Sequence, residues 1–157
     1  MPDGSPSCVE VPEPVAAVCA TFLAEVPDGL LTGLYLRGGV GFGEWVPGQS
    51  DVDFLATLSR RPTGDDVAAL RKTHEKVAAA HPGVDFDGAH LLASDLAADA
   101  AACPDVPAIL HRYFEDETRV HDATVAWHEL AWHGITVAGP PIAALDVWTS
   151  PEALARQ

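Results

Sequence analysis

The chain has little positive charge. Its 157 residues include nine Lys and Arg, of which two are lysines, against 23 Asp and Glu, and the formal net charge is −14. A surface of this kind repels phosphate backbones, and no stretch is rich enough in basic residues to offset the repulsion. The composition therefore argues against a nucleic-acid partner. A small cationic molecule is a better electrostatic match.

Cysteines and long apolar runs are also scarce. Cys8, Cys19 and Cys103 form no CxxC pair and no metal-binding spacing, which fits a reducing cytosol. No apolar run approaches the roughly 18 residues of a membrane span, and the acidic, Pro-rich start lacks the basic and apolar regions of a signal peptide. We expect a cytoplasmic protein without a membrane partner, with a flexible tail over 1–12 and one folded domain over 13–157.

Apolar periodicity predicts most of the secondary structure. Helices are predicted from Pro14 to Val26, from Gly64 to about Ala80, from Ser94 to about Ala102, and from Asp122 to His133. Strands are predicted at 34–36, 54–58, 84–92 and 135–139, and a turn at 103–107. The segment 111–120, HRYFEDETRV, matches no single pattern.

The most informative stretch runs from Leu34 to Leu58. A short apolar run ends at Gly38-Gly39, a loop rich in Gly follows, and Asp51 and Asp53 introduce a second apolar run. Residues two apart on a strand share a face, about 7 Å apart. Two carboxylates so placed suit Mg²⁺, which carboxylates and substrate phosphates commonly hold together, and the glycine turn lets backbone N–H groups approach an anion. The stretch predicts a site for phosphate and metal.

A second pair of carboxylates lies on the predicted strand 84–92. Asp85 and Asp87 alternate with apolar neighbours, so both point away from the face that carries Val84 and Phe86. If this strand lies beside the strand that follows Asp53, one of the two carboxylates completes a cluster of three. The residue pattern alone leaves open which of the two it is.

The segment LYLRGGVGFGEWVPGQSDVDFL resembles the nucleotide-binding core of the aminoglycoside (3″)(9) adenylyltransferases, within the DNA polymerase β-type nucleotidyltransferases. The later segment WHELAWHGITVAGPP resembles the end of their catalytic domain. The resemblance covers about 20–150, and it departs at Gly39, where the family has serine. It implies an α/β (α+β) fold with a mixed, twisted sheet flanked by helices.

The resemblance also implies a reaction, which is transfer of AMP from ATP to a hydroxyl of a small molecule, typically an aminoglycoside, with Mg²⁺ as cofactor. It assigns Asp51, Asp53 and Asp87 to metal binding and catalysis, with Asp87 as a metal ligand or general base and Asp85 as the other choice. Gly38, Gly39 and Ser50 would bind the nucleotide, and Glu115 is the nearest match to a further acidic residue of the family.

Family members usually continue into a helical domain that forms part of the acceptor pocket, and this chain ends at Gln157. We therefore expect a helical partner protein or a homo-oligomer to complete the site. Two other functions stay open. One is a partner-dependent minimal nucleotidyltransferase of the toxin–antitoxin type, which would modify a protein hydroxyl. The other is a catalytically inactive remnant domain.

Overall fold

The protein is built on a six-stranded mixed sheet. The computed structural model describes residues 11–157; residues 1–10, most of the predicted tail, lie outside the described part. The strands are β1 (Leu31–Arg37), β2 (Val52–Leu58), β3 (Phe86–Leu91), β4 (Val106–Leu110), β5 (Tyr113–Thr118) and β6 (Ile135–Ala138). Their order is β5-β4-β3-β2-β1-β6. Only β2 and β3 pair in parallel, and the other pairs are antiparallel.

Helices cover both faces of the sheet. They are α1 (Glu13–Glu25), α2 (Gly64–Ala80), α3 (Ala93–Leu96), α4 (Ala123–His133) and α5 (Pro151–Ala155), with 3-10 turns at Ala100–Ala102 and Ile142–Leu145. On one face, Phe22 of α1 and Leu70 of α2 pack with Phe54 of β2. On the other, Trp127 of α4 packs with Leu55 of β2. This architecture confirms the predicted mixed sheet flanked by helices. None of the helices within 11–157 has the length and apolar character needed to cross a membrane.

Local sequence signals explain where the two long helices begin. Pro14 lies in the first turn of α1, where a missing N–H is tolerated. At α2, the Thr63 hydroxyl accepts a hydrogen bond from the Asp66 N–H at 3.2 Å, and the Asp66 carboxylate accepts one from the Thr63 N–H at 2.9 Å. This reciprocal pair is a capping box, and it explains why the helix begins at Gly64, as predicted from the sequence.

One predicted helix start is wrong, and a second is right in position but lacks a capping hydrogen bond. Ser94 does not cap the helix after β3, because α3 already begins at Ala93 and ends at Leu96. Asp95, inside that helix, accepts from the Leu92 N–H at 2.9 Å. Asp122 precedes α4 as predicted, but it has a left-handed backbone and its side chain makes no capping hydrogen bond.

The sequence prediction also missed the hairpin of β4 and β5. Part of β4 was predicted as a turn, because Pro107 lies inside it and proline cannot donate to a sheet. β4 is nevertheless paired on both sides, with Ala108 opposite Ala89 of β3 and Glu115 of β5. The hairpin turn is His111-Arg112, and both residues have positive φ angles, 49° and 71°.

Strand directions bring four chain segments to one edge of the sheet. The first residues of β2 and β3 lie side by side, with Asp53 opposite Asp87. The end of β1 lies beside the start of β2, since Arg37 is opposite Asp53. The β4–β5 turn reaches the start of β3 because those strands are antiparallel. Close contact of β2 and β3 requires Gly88, where a Cβ atom would collide with the carbonyl oxygen of Phe54.

Candidate functional site

Four side chains able to bind a metal meet at this edge. Asp51, Asp85, Asp87 and His111 each offer one ligand atom, and these atoms all lie within 4.8 Å of one another. We call these four residues the acidic cluster. Asp51 comes directly before β2, Asp85 directly before β3, Asp87 is the second residue of β3, and His111 is in the β4–β5 turn. Three carboxylates this close repel one another unless protons or a cation compensate.

Asp87 is the most buried member of the acidic cluster, with 3% of its surface exposed. Its Oδ1 accepts a hydrogen bond from the His111 N–H at 3.0 Å. Its Oδ2 is buried and has no hydrogen-bond partner among residues 11–157. Burial, followed by the charges of Asp51 and Asp85, raises the pKa of Asp87 to about 6 against the opposing hydrogen bond from His111. The charge of His111 also opposes this rise in the pKa, but Asp87 Oδ2 accepts no hydrogen bond from the described residues.

Asp85 has one oxygen bound and one directed toward the cluster. Its Oδ1 accepts from the Arg112 Nε–H at 3.1 Å. Its Oδ2 lies 3.6 Å from His111 Nδ1, and the same nitrogen lies 3.8 Å from Asp87 Oδ2. Arg112 also donates to the carbonyl of Pro82, which fixes the turn against the chain before β3. The turn thus orients two carboxylates and adds a nitrogen donor.

Asp53 lies at the same edge but outside the group of four atoms. A Cβ atom at Gly38 would come within 2.6 Å of Asp53 Oδ2, and Gly38 has a positive φ of 71°, so only glycine fits at this position. Burial raises the pKa of Asp53, Arg37 lowers it, and Asp51 and Glu129 raise it further. Arg37 is itself paired with Glu129 of α4 at 2.5 Å. The part of Asp53 in metal binding stays a prediction.

The predicted nucleotide-binding residues form the loop between β1 and β2. The Gly38 carbonyl accepts from the Phe42 N–H, and the Gly39 carbonyl accepts from the Glu44 N–H. Gly39 has open space around its Cα, since an added Cβ would meet its nearest neighbour only at 4.0 Å. The Ser50 hydroxyl oxygen accepts from the Val46 N–H at 3.0 Å. Nucleotide binding by Gly38, Gly39 and Ser50 stays a prediction.

His111 is the site residue that the sequence analysis missed. Two-residue hairpin turns with both φ angles positive usually carry Asn-Gly or Asp-Gly, so His-Arg gives no turn signal. The available signal was a polar pair between the runs VPAIL and YFEDET. Glu115, the weak match to a further acidic residue, is exposed on β5.

A second buried polar group lies on the opposite face of β3. His74 of α2 and His90 of β3 approach at 2.8 Å between their Nε2 atoms, and His90 Nδ1 lies 2.7 Å from the Pro107 carbonyl. A carbonyl only accepts, so Nδ1 of neutral His90 carries the hydrogen and its Nε2 accepts from His74. Four Phe rings surround the two imidazoles. Burial lowers the pKa of His90 to about 4 and the pKa of His74 well below its usual value.

No protein-family model matches the chain, and no curated protein matches it. A solved structure described as a toxin–antitoxin with AMP-PNP has a similar chain path, with a TM-score of 0.47 and 15% identity. The match covers 83% of this chain and 80% of that chain. Nothing in these comparisons supports an aminoglycoside as substrate.

Proposed function

We propose that the protein is a nucleotidyltransferase that moves AMP from ATP to a hydroxyl group with the help of a divalent cation. The observation that carries this proposal is the acidic cluster. Its ligand atoms lie within 4.8 Å of one another, and one buried oxygen of Asp87 has no hydrogen-bond partner among residues 11–157. The cluster lies beside a glycine turn, so anionic and cationic parts of a metal–triphosphate complex would find complementary surfaces at one edge.

The residues present fit a divalent cation. Asp51 and Asp87 would hold it, and Asp53, directly opposite Asp87 in the sheet, would supply a further carboxylate for the same ion or a second one. Burial and then the like charges of the other carboxylates raise the pKa of Asp87, and a bound cation would oppose that rise. When bound, the ion neutralises charge on the phosphates during in-line transfer. Mg²⁺ is the ion that usually accompanies ATP, and it accepts carboxylate oxygens.

The chain's own groups would handle the proton and the phosphates. A pKa of about 6 brings Asp87 close to the range of a general base at neutral pH, so it could accept the proton of the acceptor hydroxyl if it is not a metal ligand. Gly38 and Gly39 leave the loop backbone open to an anion, and Ser50 retains a hydroxyl hydrogen for a phosphate oxygen.

The acceptor is proposed to be a small hydroxylated cation such as an aminoglycoside. The support is electrostatic, since a net charge of −14 attracts polycations. A protein hydroxyl on a partner chain is the second candidate. Phe42 and Val46, on the loop beside the cluster, expose 43% and 44% of their surfaces and offer an apolar contact to such a partner.

A transfer assay tests the proposal. The protein is incubated with ATP labelled in the adenine ring, with and without Mg²⁺, and with a panel of aminoglycosides or a co-purified partner. We expect labelled acceptor only with Mg²⁺, and no product with Asp51→Asn. Asp28→Asn, which neutralises an exposed acidic residue outside the acidic cluster, is the matched control. If calorimetry finds no Mg²⁺-dependent binding of ATP, the protein is an inactive remnant and the proposal fails.

A further inference from the structure

His111 occupies an unusual place for a histidine. It is the first residue of a two-residue turn, with a φ of 49°, and its side chain is 64% exposed. An exposed ring in a turn has no packing reason to face inward. Its Nδ1 nevertheless lies 3.6 Å from Asp85 Oδ2 and 3.8 Å from Asp87 Oδ2. Packing therefore does not account for the direction of the ring.

These separations are too long for hydrogen bonds but suit ligands that share an ion. Two donor atoms, each about 2.1 Å from one cation, lie about 3.0–4.2 Å apart for angles between 90° and 180°. Both separations from Nδ1 fall within this interval. His111 Nδ1 is thus spaced from each of the two carboxylate oxygens as one ligand of an ion is from another.

The hydrogen bonds around the cluster leave the same three atoms available. Asp85 uses Oδ1 for Arg112 and Asp87 uses Oδ1 for the His111 N–H, so each carboxylate directs Oδ2 toward the imidazole. Asp87 is 3% exposed and its Oδ2 is without a partner in the described chain, so a buried polar atom is aimed into the cluster. The β4–β5 turn produces this arrangement, because it supplies the His111 N–H, the Arg112 guanidinium and the imidazole ring.

We infer that His111 is a nitrogen ligand of the cation site and makes that site prefer an imidazole-binding transition-metal ion over Mg²⁺. The inference rests on the cation site of the proposed function and specifies its ligands as Asp51, Asp85, Asp87 and His111. Mg²⁺ demands oxygen donors and near-octahedral geometry. An imidazole nitrogen raises the affinity for ions such as Co²⁺ and Zn²⁺, which bind such mixed sites more tightly than Mn²⁺ does.

The test compares binding of Co²⁺ and Mg²⁺ to the full chain without nucleotide. Titrations with CoCl₂ are followed by visible absorption and calorimetry, and titrations with MgCl₂ by calorimetry. His111→Gly removes the ring but keeps the N–H to Asp87 and tolerates the positive φ. His121→Gly, at an exposed histidine outside the cluster, is the matched control. We expect wild type to bind Co²⁺ at least tenfold more tightly than Mg²⁺. His111→Gly should lose that factor for Co²⁺ and change Mg²⁺ binding less than twofold.

Different failures point to different errors. If His111→Gly binds Co²⁺ as tightly as wild type does, nitrogen ligation is wrong while the cation site stands. If wild type binds neither ion, the cation site of the proposed function is wrong as well. Should His111→Gly fail to fold, His111→Asn keeps a residue that accepts a left-handed backbone. Pulsed EPR of wild type with Mn²⁺ gives a readout without any variant: nitrogen coupling to the ion supports the inference, and its absence overturns it.

Discussion

Strand β3 carries two buried polar residues three positions apart, and their surroundings differ in kind. Asp87 faces the acidic cluster, where its neighbours are carboxylates and its Oδ2 has no partner in the part of the chain that the structure describes. His90 points to the opposite face, where it bonds to His74 and to the Pro107 carbonyl among Phe rings. One grouping concentrates charge of a single sign, and the other is a neutral, hydrogen-bonded pair.

The two groups differ in what they contribute to the stability of the fold. The histidine pair links α2, β3 and β4, and its lowered pKa values keep it uncharged, although His74 Nδ1 has no hydrogen-bond partner among the described residues. The acidic cluster works against folding. A rise in the pKa of Asp87 from 3.8 to about 6 corresponds to about 3 kcal/mol of unfavourable interaction at neutral pH. A buried group that destabilises the fold is a candidate for a ligand site.

The largest expected effect comes from Asp87→Asn. Removal of the carboxylate should lower AMP transfer by about a thousandfold, since it deletes a cation ligand or a general base. The free energy of unfolding at pH 7 should rise by about 1–3 kcal/mol, because a buried like charge disappears. Transfer assays and urea unfolding of the same preparation check both signs. A variant that is less stable and still active would mean that Asp87, like His90, stabilises the fold and is not needed for transfer.

His90→Ala should show the opposite pattern. It leaves a cavity among Phe rings and removes the partner of both His74 and the Pro107 carbonyl. We expect a loss of about 2–4 kcal/mol in the free energy of unfolding. Activity per folded molecule should stay within twofold of wild type, because the side chain faces away from the cluster. A large drop in activity per folded molecule would mean that the histidine pair contributes to the function of the acidic cluster.

The pH dependence of the free energy of unfolding tests whether His90 is uncharged in the folded protein. The pKa of His90 is lowered to about 4 in the folded protein. Between pH 7 and pH 5 the unfolded chain takes up a proton near its ordinary pKa of 6.5, and the folded protein does not, so stability falls as pH falls. The loss is about 2 kcal/mol over this interval, and most of it should be absent in His90→Gln.

The measurement is the difference in unfolding free energy between wild type and His90→Gln at the two pH values. It should shrink by about 2 kcal/mol at pH 5. Asp87 acts in the other direction, because its raised pKa lets the folded protein take up a proton first. It is present in both proteins, so its contribution cancels. A difference that does not change with pH would mean that His90 titrates normally.

The sequence allowed the architecture to be predicted wherever one signal dominated. The apolar spacing and capping box of α2 gave its bounds as Gly64–Ala80, and the alternation after Asp85 gave β3. Asp51 and Asp87 were predicted as site residues, and they meet in the cluster; their chemical roles remain predictions. These features depend on residues near one another in the chain.

The remaining features depend on contacts between distant segments. β4 contains Pro107, so its local pattern favours a turn, and its pairing with β3 and β5 overrides that preference. His111 enters the site through this hairpin, so missing the strand meant missing the residue. The choice between Asp85 and Asp87 could not be made from alternation, since both point to the same face. The structure gives each a different hydrogen-bond partner instead.

Arg112→Gln is expected to have the smallest effect and tests whether the cluster is built to hold a cation. Arg112 bonds to Asp85 Oδ1 and brings a positive charge next to the three carboxylates. Its side chain is 42% exposed, so its loss should change the free energy of unfolding by at most about 0.5 kcal/mol. Affinity for Co²⁺ should rise about twofold to threefold by calorimetry, because a competing positive charge is removed.

Arg119→Gln, at an exposed arginine outside the cluster, is the matched control and should leave Co²⁺ affinity unchanged. A tenfold fall in Co²⁺ affinity for Arg112→Gln alone would contradict the prediction, and it would mean that the orientation of Asp85 by the guanidinium outweighs the repulsion between the guanidinium and the ion. The acidic cluster would then resemble the histidine pair in one respect, since hydrogen bonds within the fold would determine the geometry of both. The difference between the two sides of β3 would rest on charge alone.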